Sequence, residues 1–302
     1  MEKTTKNVQE EAISLSRSAK KRRGRGAGYY VRRVLFYFFA VAMLAWFLFP
    51  VYCLLILSVF PDSELVRAPR LWPSYFNFKP YVTVFTGNYM WYFKNTFVVC
   101  AGYILGACIS ASLTAYAICK IRFKGAKVMF SIILATTFLP GVVTSIPLYV
   151  IYDKIGWTGT LYPLIIPIWF GGGTMNIFLL RQFMKGIPNS YTEAAIIDGA
   201  GPFRIFLQII VPMITPILLY IAYCGFCACW NDFQGPLMYV AAKKSSWTVS
   251  LALYEDFAVS KGQNLANVQM AAGVIMMAPL VVLFALFQKQ LIQGVATVGI
   301  KM

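Results

Sequence analysis

The feature that most constrains this chain is a run of 27 residues without a charge, Val34 to Phe60. A helix of about 20 apolar residues is enough to cross a bilayer's hydrocarbon core. Inside lipid a backbone must satisfy its own hydrogen bonds, which selects the helix. Five more runs meet the same test: Thr96 to Cys119, Val128 to Tyr152, Leu161 to Leu180, Ile209 to Trp230 and Val268 to Phe287. The expected fold class is all-α, a polytopic membrane protein with six transmembrane helices. The third run is interrupted by Pro140, Gly141 and Pro147, and the fourth holds Pro163, Pro167 and a glycine run from Gly171 to Gly173. Glycine triplets can cradle phosphate, but this one lies in an apolar run and the chain has no GxxxxGK[ST]. Close helix packing or a kink is the expected use.

Composition agrees. Charged residues are 13% of the chain and hydrophobic ones 59%, where a soluble domain carries about 25% charged. In a soluble chain a net charge of +16 would suggest nucleic acid. Here the bases sit in a tail and in short loops beside apolar runs, so the expected partner is the lipid bilayer and not nucleic acid. Lysine and arginine divide 19 to 8 between the two sides of a six-span arrangement. The positive-inside rule then puts both termini, and the segment between the fourth and fifth runs, in the cytoplasm. The expected organisation is a basic cytoplasmic tail at 1–33, a first span with an external loop at 34–95, a five-helix core at 96–287 and a cytoplasmic tail at 288–302. The KKRRGRG run at Lys20 to Gly26 reads as a solvated charge cluster that fixes orientation.

Every carboxylate, lysine and arginine falls outside the six runs. A proton- or ion-coupled carrier often keeps an ionisable residue within the membrane, so that mechanism is disfavoured. Sodium sites built from backbone carbonyls remain open, which keeps a self-sufficient secondary solute carrier as the alternative reading. The chain has no histidine, and no acid or nucleophile constellation presents itself. No catalytic, cofactor or metal site is expected. Cys224, Cys227 and Cys229 form a CxxCxC cluster, which reads as small apolar residues on a buried helix rather than as a metal site. The energy for transport must come from elsewhere, and a separate ATP-hydrolysing subunit is the simplest source.

One stretch between apolar runs reads as ordered, SYTEAAIIDGAGPFRIFLQIIVPMITP from Ser190 to Pro216. Ser190 with Glu193 has the spacing of a capping box. Gly199 fits the left-handed residue that ends a helix, and Pro202 suits the first position of the next. Helical phase sets Tyr191, Ala194, Ala195 and Asp198 on one face and Glu193, Ile196 and Ile197 on the other. The alanine face permits close approach of another surface, but sequence leaves open which face docks. It also leaves open whether Glu193 caps its own helix or pairs with a base on a partner.

This stretch resembles the EAA loop of ABC-importer membrane subunits. The pattern stands as Glu193, Ala194, Ala195, Asp198, Gly199, then Ile209 or Ile210, and Pro212. The triplet Asp198 to Ala200 and Phe206 are similar to the carbohydrate-uptake branch, close to maltose-type permeases. NFKPYVTVF and NYMWYFKNT resemble the segment ahead of the core in sugar permeases, and the terminal QKQLIQGVATVGIKM resembles the end of maltose-type subunits. The resemblance implies a cytoplasmic coupling helix within 187–208 that docks into a cleft on an ATPase. Its residues would be Tyr191, Glu193, Ala194, Ala195, Asp198, Gly199, Ala200, Gly201 and Arg204. It further implies a second permease subunit, hence a heterodimer, and two cytoplasmic ABC ATPase subunits that use ATP and Mg. An extracytoplasmic sugar-binding protein completes the set, and the location implied is a bacterial or archaeal cytoplasmic (inner) membrane.

Sugars are held by aromatic faces and hydrogen-bonding groups, so Trp169, Phe170, Asn176, Trp230, Asn231 and Phe233 are the candidates for a substrate path. Aromatics at span ends more often anchor a helix at the membrane interface. WNDF at Trp230 to Phe233 resembles the WN-acid-F segment after the fifth span of the family.

Overall fold

The computed structural model describes residues 27–65, 71–86, 89–121, 123–255 and 266–299. Two compact units are present, Met1–Ile56 and Leu57–Met302. In the first, α1 (Ala27–Leu57) starts upstream of Arg32 and Arg33, so the helix takes in the end of the expected basic tail. Residues 1–26 of that tail lie outside the described residues.

In the second unit a short helix, α2 (Lys79–Thr86), leads to α3 (Tyr89–Lys120). The expected loop at 61–95 is thus shorter than it reads, because most of NYMWYFKNT already forms the first turns of α3. After α3 come α4 (Ala126–Ala135), one 3-10 turn at Thr136–Phe138, and α5 (Gly141–Lys154). These two helices are bent by 97°, so the expected third span is no continuous rod. Proline disfavours helical backbone in the residue before it. Leu139, which precedes Pro140, is extended at φ −77°, ψ 116°, and the helical ladder stops there.

The fourth span is built from α6 (Tyr162–Ile165), α7 (Pro167–Gly171) and α8 (Thr174–Lys185). It breaks at Gly172 and Gly173, whose φ values are +63° and +82°. Then follow α9 (Ser190–Ile197), α10 (Pro202–Ile205), a π-helical turn at Phe206–Ile210 and α11 (Val211–Trp230). The helices Gln234–Tyr239 and Val249–Leu253 lie in the expected 231–267 loop. The last helix, α12 (Ala266–Gly299), continues well past Phe287. By length and composition Tyr29–Leu57, Tyr89–Lys120, Tyr162–Lys185, Pro202–Trp230 and Ala266–Gln288 can each cross a membrane, and the bent pair makes a sixth span if counted as one.

The second unit is organised around α3. Lipid is as apolar as leucine, so membrane helices associate through close packing, which small residues permit. Ala107, Ala111 and Ala115 recur every fourth residue along one face of α3 and are buried with Leu180 and Met184 of α8 and Ile214, Ile217 and Ile221 of α11. Gly102 and Gly106 receive Ile165 and Trp169: a Cβ on either glycine would meet those side chains at 2.6 Å. A second cluster near Tyr89 joins Val84, Tyr92, Val249, Ala252, Val268 and Ala272.

Candidate functional site

The segment between the fourth and fifth spans forms the helix and bend that its sequence implies, with one correction. The helix α9 begins one residue early, with Asn189 at its N-cap and no side-chain cap bond. Ser190 therefore stands inside the helix, and the Ser190–Glu193 capping box is not formed. Asn189 has helical backbone angles, and its carbonyl accepts the amides of Thr192 and Glu193, both at 2.9 Å. Its side-chain oxygen is taken instead by Lys120 Nζ, at 3.0 Å.

The C-terminal end is a complete Schellman motif. Ala200 N donates to Ala195 O at 2.9 Å and Gly199 N to Ile196 O at 3.0 Å. Gly199 sits at φ +78°, a conformation that costs an L-residue about 1–2 kcal/mol. Gly201 is extended and Pro202 opens α10, as the sequence predicts. The π-helical turn that follows joins this bend to α11. Such turns are rare and are often found at functional sites.

The two sides of α9 are settled by packing. Ala195 is buried and belongs to the same core cluster as Ile187, Ile205, Phe206 and Met184. It holds α9 to the protein's own body and is not on the surface offered to a partner. Tyr191, Glu193, Ala194, Asp198, Gly199 and Gly201 are exposed, and Ala200 is half-buried. Ile196 is 62% exposed and Ile197 86%. Arg204 is exposed too and binds the π-helical turn that follows, its Nε donating to Gln208 Oε1 at 2.9 Å. What this surface offers is an apolar knob, Ile196 and Ile197, ringed by Tyr191, Glu193 and Asp198. Sequence reasoning placed these isoleucines on the face opposite the alanines but missed their prominence. Two consecutive large aliphatics in a short polar-flanked helix were the available signal.

Substrate-path candidates fall into two groups. Trp169, Phe170 and Asn176 flank the break in the fourth span. The Trp169 indole packs on Gly106, and Asn176 Nδ2 donates to Gly172 O at 2.9 Å, bridging the break. Phe170 is exposed. The second group lies at the end of α11. Trp230 is fully buried, its Nε1 donates to Met276 O at 2.9 Å, and its ring packs against Phe93, Phe97 and Phe226. Trp230 is thus enclosed by its own neighbours, in contrast to the exposed Phe170. Large aromatics are favoured there because they fill the space between α3, α11 and α12. Asn231 bonds back to Cys227 O at 2.8 Å. Phe233 lies 4.6 Å from the Tyr254 ring. Gly106 and Phe97, which mark the two groups on α3, are nine residues or about 13 Å apart along it, so the two groups lie at different levels of that helix.

Asp232 completes WNDF. Burial pushes its carboxyl up from the usual carboxylate range, against the lowering effect of the Gly235 and Gln234 amides. Gly235 N donates to its Oδ1 at 3.0 Å, so the carboxylate starts the helix Gln234–Tyr239. Near the other end of α3, Arg181 places its guanidinium carbon 3.9 Å from the Phe130 ring centre, and Phe130 stacks on Phe178. These contacts hold α4 against α8.

A family model described as "Binding-protein-dependent transport system inner membrane component" matches residues 104–297. The chain is 26% identical to the arabinooligosaccharides transport system permease protein AraQ of Bacillus subtilis (strain 168), over 90% of this chain and 96% of that protein. It is 27% identical to the trehalose/maltose transport system permease protein MalG of Thermococcus litoralis, over 90% and 98% of the two chains. Among solved structures, a chain from a bacterial ABC transporter that imports the acidic polysaccharide alginate superposes with a TM-score of 0.79. The two are 18% identical over 87% of this chain and 98% of that one, a likeness of fold.

Proposed function

Because the chain belongs to the family of binding-protein-dependent transport system inner membrane components, we propose that it forms half of the membrane path through which a sugar or oligosaccharide is imported at the expense of ATP. It is a transport component and not an enzyme. The single observation that carries the mechanism is α9: closed by a Schellman motif, seated by Ala195 and projecting Ile196 and Ile197.

In this reading the Ile196–Ile197 knob enters a cleft on an ABC ATPase, with Tyr191, Glu193, Asp198 and Arg204 around it. Two such ATPase subunits bind ATP and Mg. Their closure moves α9, and the spans rearrange to open the path to the other side. A second permease subunit supplies the other half of the path, so the membrane part is a heterodimer. A sugar-binding protein delivers the solute from outside. The substrate class is supported by relatives named for arabinooligosaccharide and trehalose/maltose transport. The distribution of lysine and arginine supports cytoplasmic termini and a cytoplasmic α9. A thiol reagent that does not cross membranes should then label a cysteine introduced at Lys244 in intact cells but one at Lys301 only after permeabilisation, and the reverse pattern would reject the orientation.

The partner reading is tested by affinity purification of the chain from its own membranes in mild detergent. Capture of an ATPase, with ATP hydrolysis that disappears when the chain is stripped of it, is the expected result. Robust hydrolysis by the pure chain would refute it.

A further inference from the structure

The helix α3 is fastened at both ends to segments remote in sequence, and nearly all the fastenings run from an α3 side chain to another segment's main chain. At the Lys120 end, Lys120 Nζ donates to Ile187 O at 2.7 Å and to Asn189 Oδ1 at 3.0 Å, immediately before α9. One turn earlier, Tyr116 Oη donates to Pro202 O at 3.0 Å, immediately after the Schellman bend. Residues four apart share a helix face, so one face of α3 grips the docking segment on both sides of α9. The Tyr116 ring also packs on Phe206 of the π-helical turn, 5.2 Å between centroids.

At the Tyr89 end the same device recurs. Trp91 Nε1 donates to Ser245 O at 2.7 Å. Asn95 Nδ2 donates to Ser245 O and Trp247 O, both at 2.9 Å, and Thr96 Oγ1 accepts the Val249 amide at 3.0 Å. The gripped segment, 245–249, lies between α11 and α12.

What joins the two ends is stiff. The 32 residues of α3 form one helix without proline, about 48 Å long. Each other span of this unit carries a break, a π-helical turn or a proline: α4 and α5 the 97° bend, the fourth span Gly172 and Gly173, α10–α11 the π-helical turn and Pro216, and α12, otherwise one continuous helix, Pro279. Sharp kinks arise at such prolines and π-turns. A push on α9 can be absorbed in those helices, but α3 has no such joint. Main-chain acceptors move with their segment, so a link to one carries the backbone with it.

We propose that α3 is the rod that transmits motion from the docking segment to the 245–249 loop, with Tyr116 and Lys120 as the positioning residues at one end and Trp91, Asn95 and Thr96 at the other. This rests on the coupling reading of α9. It assigns to five residues outside the EAA-like stretch the task of converting partner motion into movement at the far side.

The test uses the assembled transporter, isolated with its ATPase and placed in lipid nanodiscs and proteoliposomes. Hydrogen exchange of residues 244–249 is compared with and without a non-hydrolysable ATP analogue, beside uptake and ATP hydrolysis. In the unsubstituted chain the analogue changes exchange at 244–249. In the double variant Tyr116→Phe, Lys120→Met the ATPase stays bound and hydrolyses ATP, the response at 244–249 is lost, and uptake per ATP falls about tenfold, the range over which coupling residues act. Lys120→Arg, which keeps the donors, restores both. Asn95→Ala, which leaves α9 untouched, also lowers uptake per ATP and serves if the double variant fails to assemble. An unchanged response and normal uptake per ATP in the double variant, or in Asn95→Ala, would overturn the proposal, as would no response in the unsubstituted chain. Failure of the unsubstituted chain to retain any ATPase would instead reject the coupling reading of α9.

Discussion

Gly172 rests directly on the main chain of Ala111: a Cβ on Gly172 would lie 2.4 Å from the Ala111 amide nitrogen. Backbone cannot swing aside as a side-chain tip can, and φ at Gly172 is +63°. Overpacking costs roughly 1–3 kcal/mol and the left-handed backbone about 1–2 kcal/mol more. Gly172→Ala is therefore expected to destabilise the chain by about 2–5 kcal/mol. Gly171→Ala, whose Cβ meets nothing within 4 Å, should change little. Thermal denaturation of the two purified variants in one detergent checks this, and equal melting temperatures would contradict it.

Gly199 presents the opposite case. Nothing lies within 4 Å of its Cβ position, yet φ is +78°. The constraint is conformational, so the outcome should follow backbone tolerance and not size. Asparagine tolerates the left-handed region and β-branched residues do not. Gly199→Asn is expected to keep most ATPase capture and uptake, whereas Gly199→Val and, less severely, Gly199→Asp lose them at near-normal membrane levels. Immunoblotting of membranes beside co-purification decides the matter. Equal loss with asparagine and valine would show that the bend needs space around 199 and not a particular φ.

The two sides of α9 predict a split between docking and folding. Ile197→Asp alters a side chain that is 86% exposed and should move stability by no more than about 0.5 kcal/mol while abolishing ATPase capture. Ala195→Leu forces extra volume into the cluster of Ile187, Ile205 and Phe206 and should cost roughly 1–3 kcal/mol. Measuring the melting temperature and the captured ATPase for both separates the roles. Normal capture by Ile197→Asp would remove the knob from the docking surface.

Much of this was readable in sequence, and the misses have physical causes. Run length located five spans because lipid imposes one backbone solution, but it did not show that the third run is bent by 97°. Gly199 and Pro202 were legible because left-handed backbone and a first helical turn each select one residue type. The absent Ser190 cap was not, since it depends on Asn189 being held by Lys120, 69 positions away in the chain. Trp230 reads like a sugar platform from its type and place at a span end. Its burial depends on Phe93, Phe97 and Met276, three partners on two other helices. Lys120 counts in the sequence only as one more charge for topology, although its two acceptors make it part of the docking segment's frame.

Asp232 makes a pH-dependent prediction. Burial raises its folded pKa above the unfolded value, so its ionised form is disfavoured in the folded state. The resulting stability is fully present below the unfolded pKa, about 3.9, and is lost as pH rises through the raised folded value. Asp232→Asn keeps an oxygen for the Gly235 amide and removes the charge. The variant should melt higher than the parent chain near neutral pH, with the gap closing on acidification. A gap that widens toward low pH would mean that the charged carboxylate is the stabilised form.

The central claim is that this chain moves solute only when a separate ATPase drives it through α9. The most direct measurement is uptake of radiolabelled oligosaccharide into proteoliposomes containing the chain with its captured partners and binding protein, with ion gradients collapsed by ionophores. ATP-dependent uptake that persists without any gradient, and that Ile197→Asp abolishes, is the predicted result. Uptake by the chain alone, driven by a sodium or proton gradient and indifferent to ATP, would contradict the account and establish a secondary carrier.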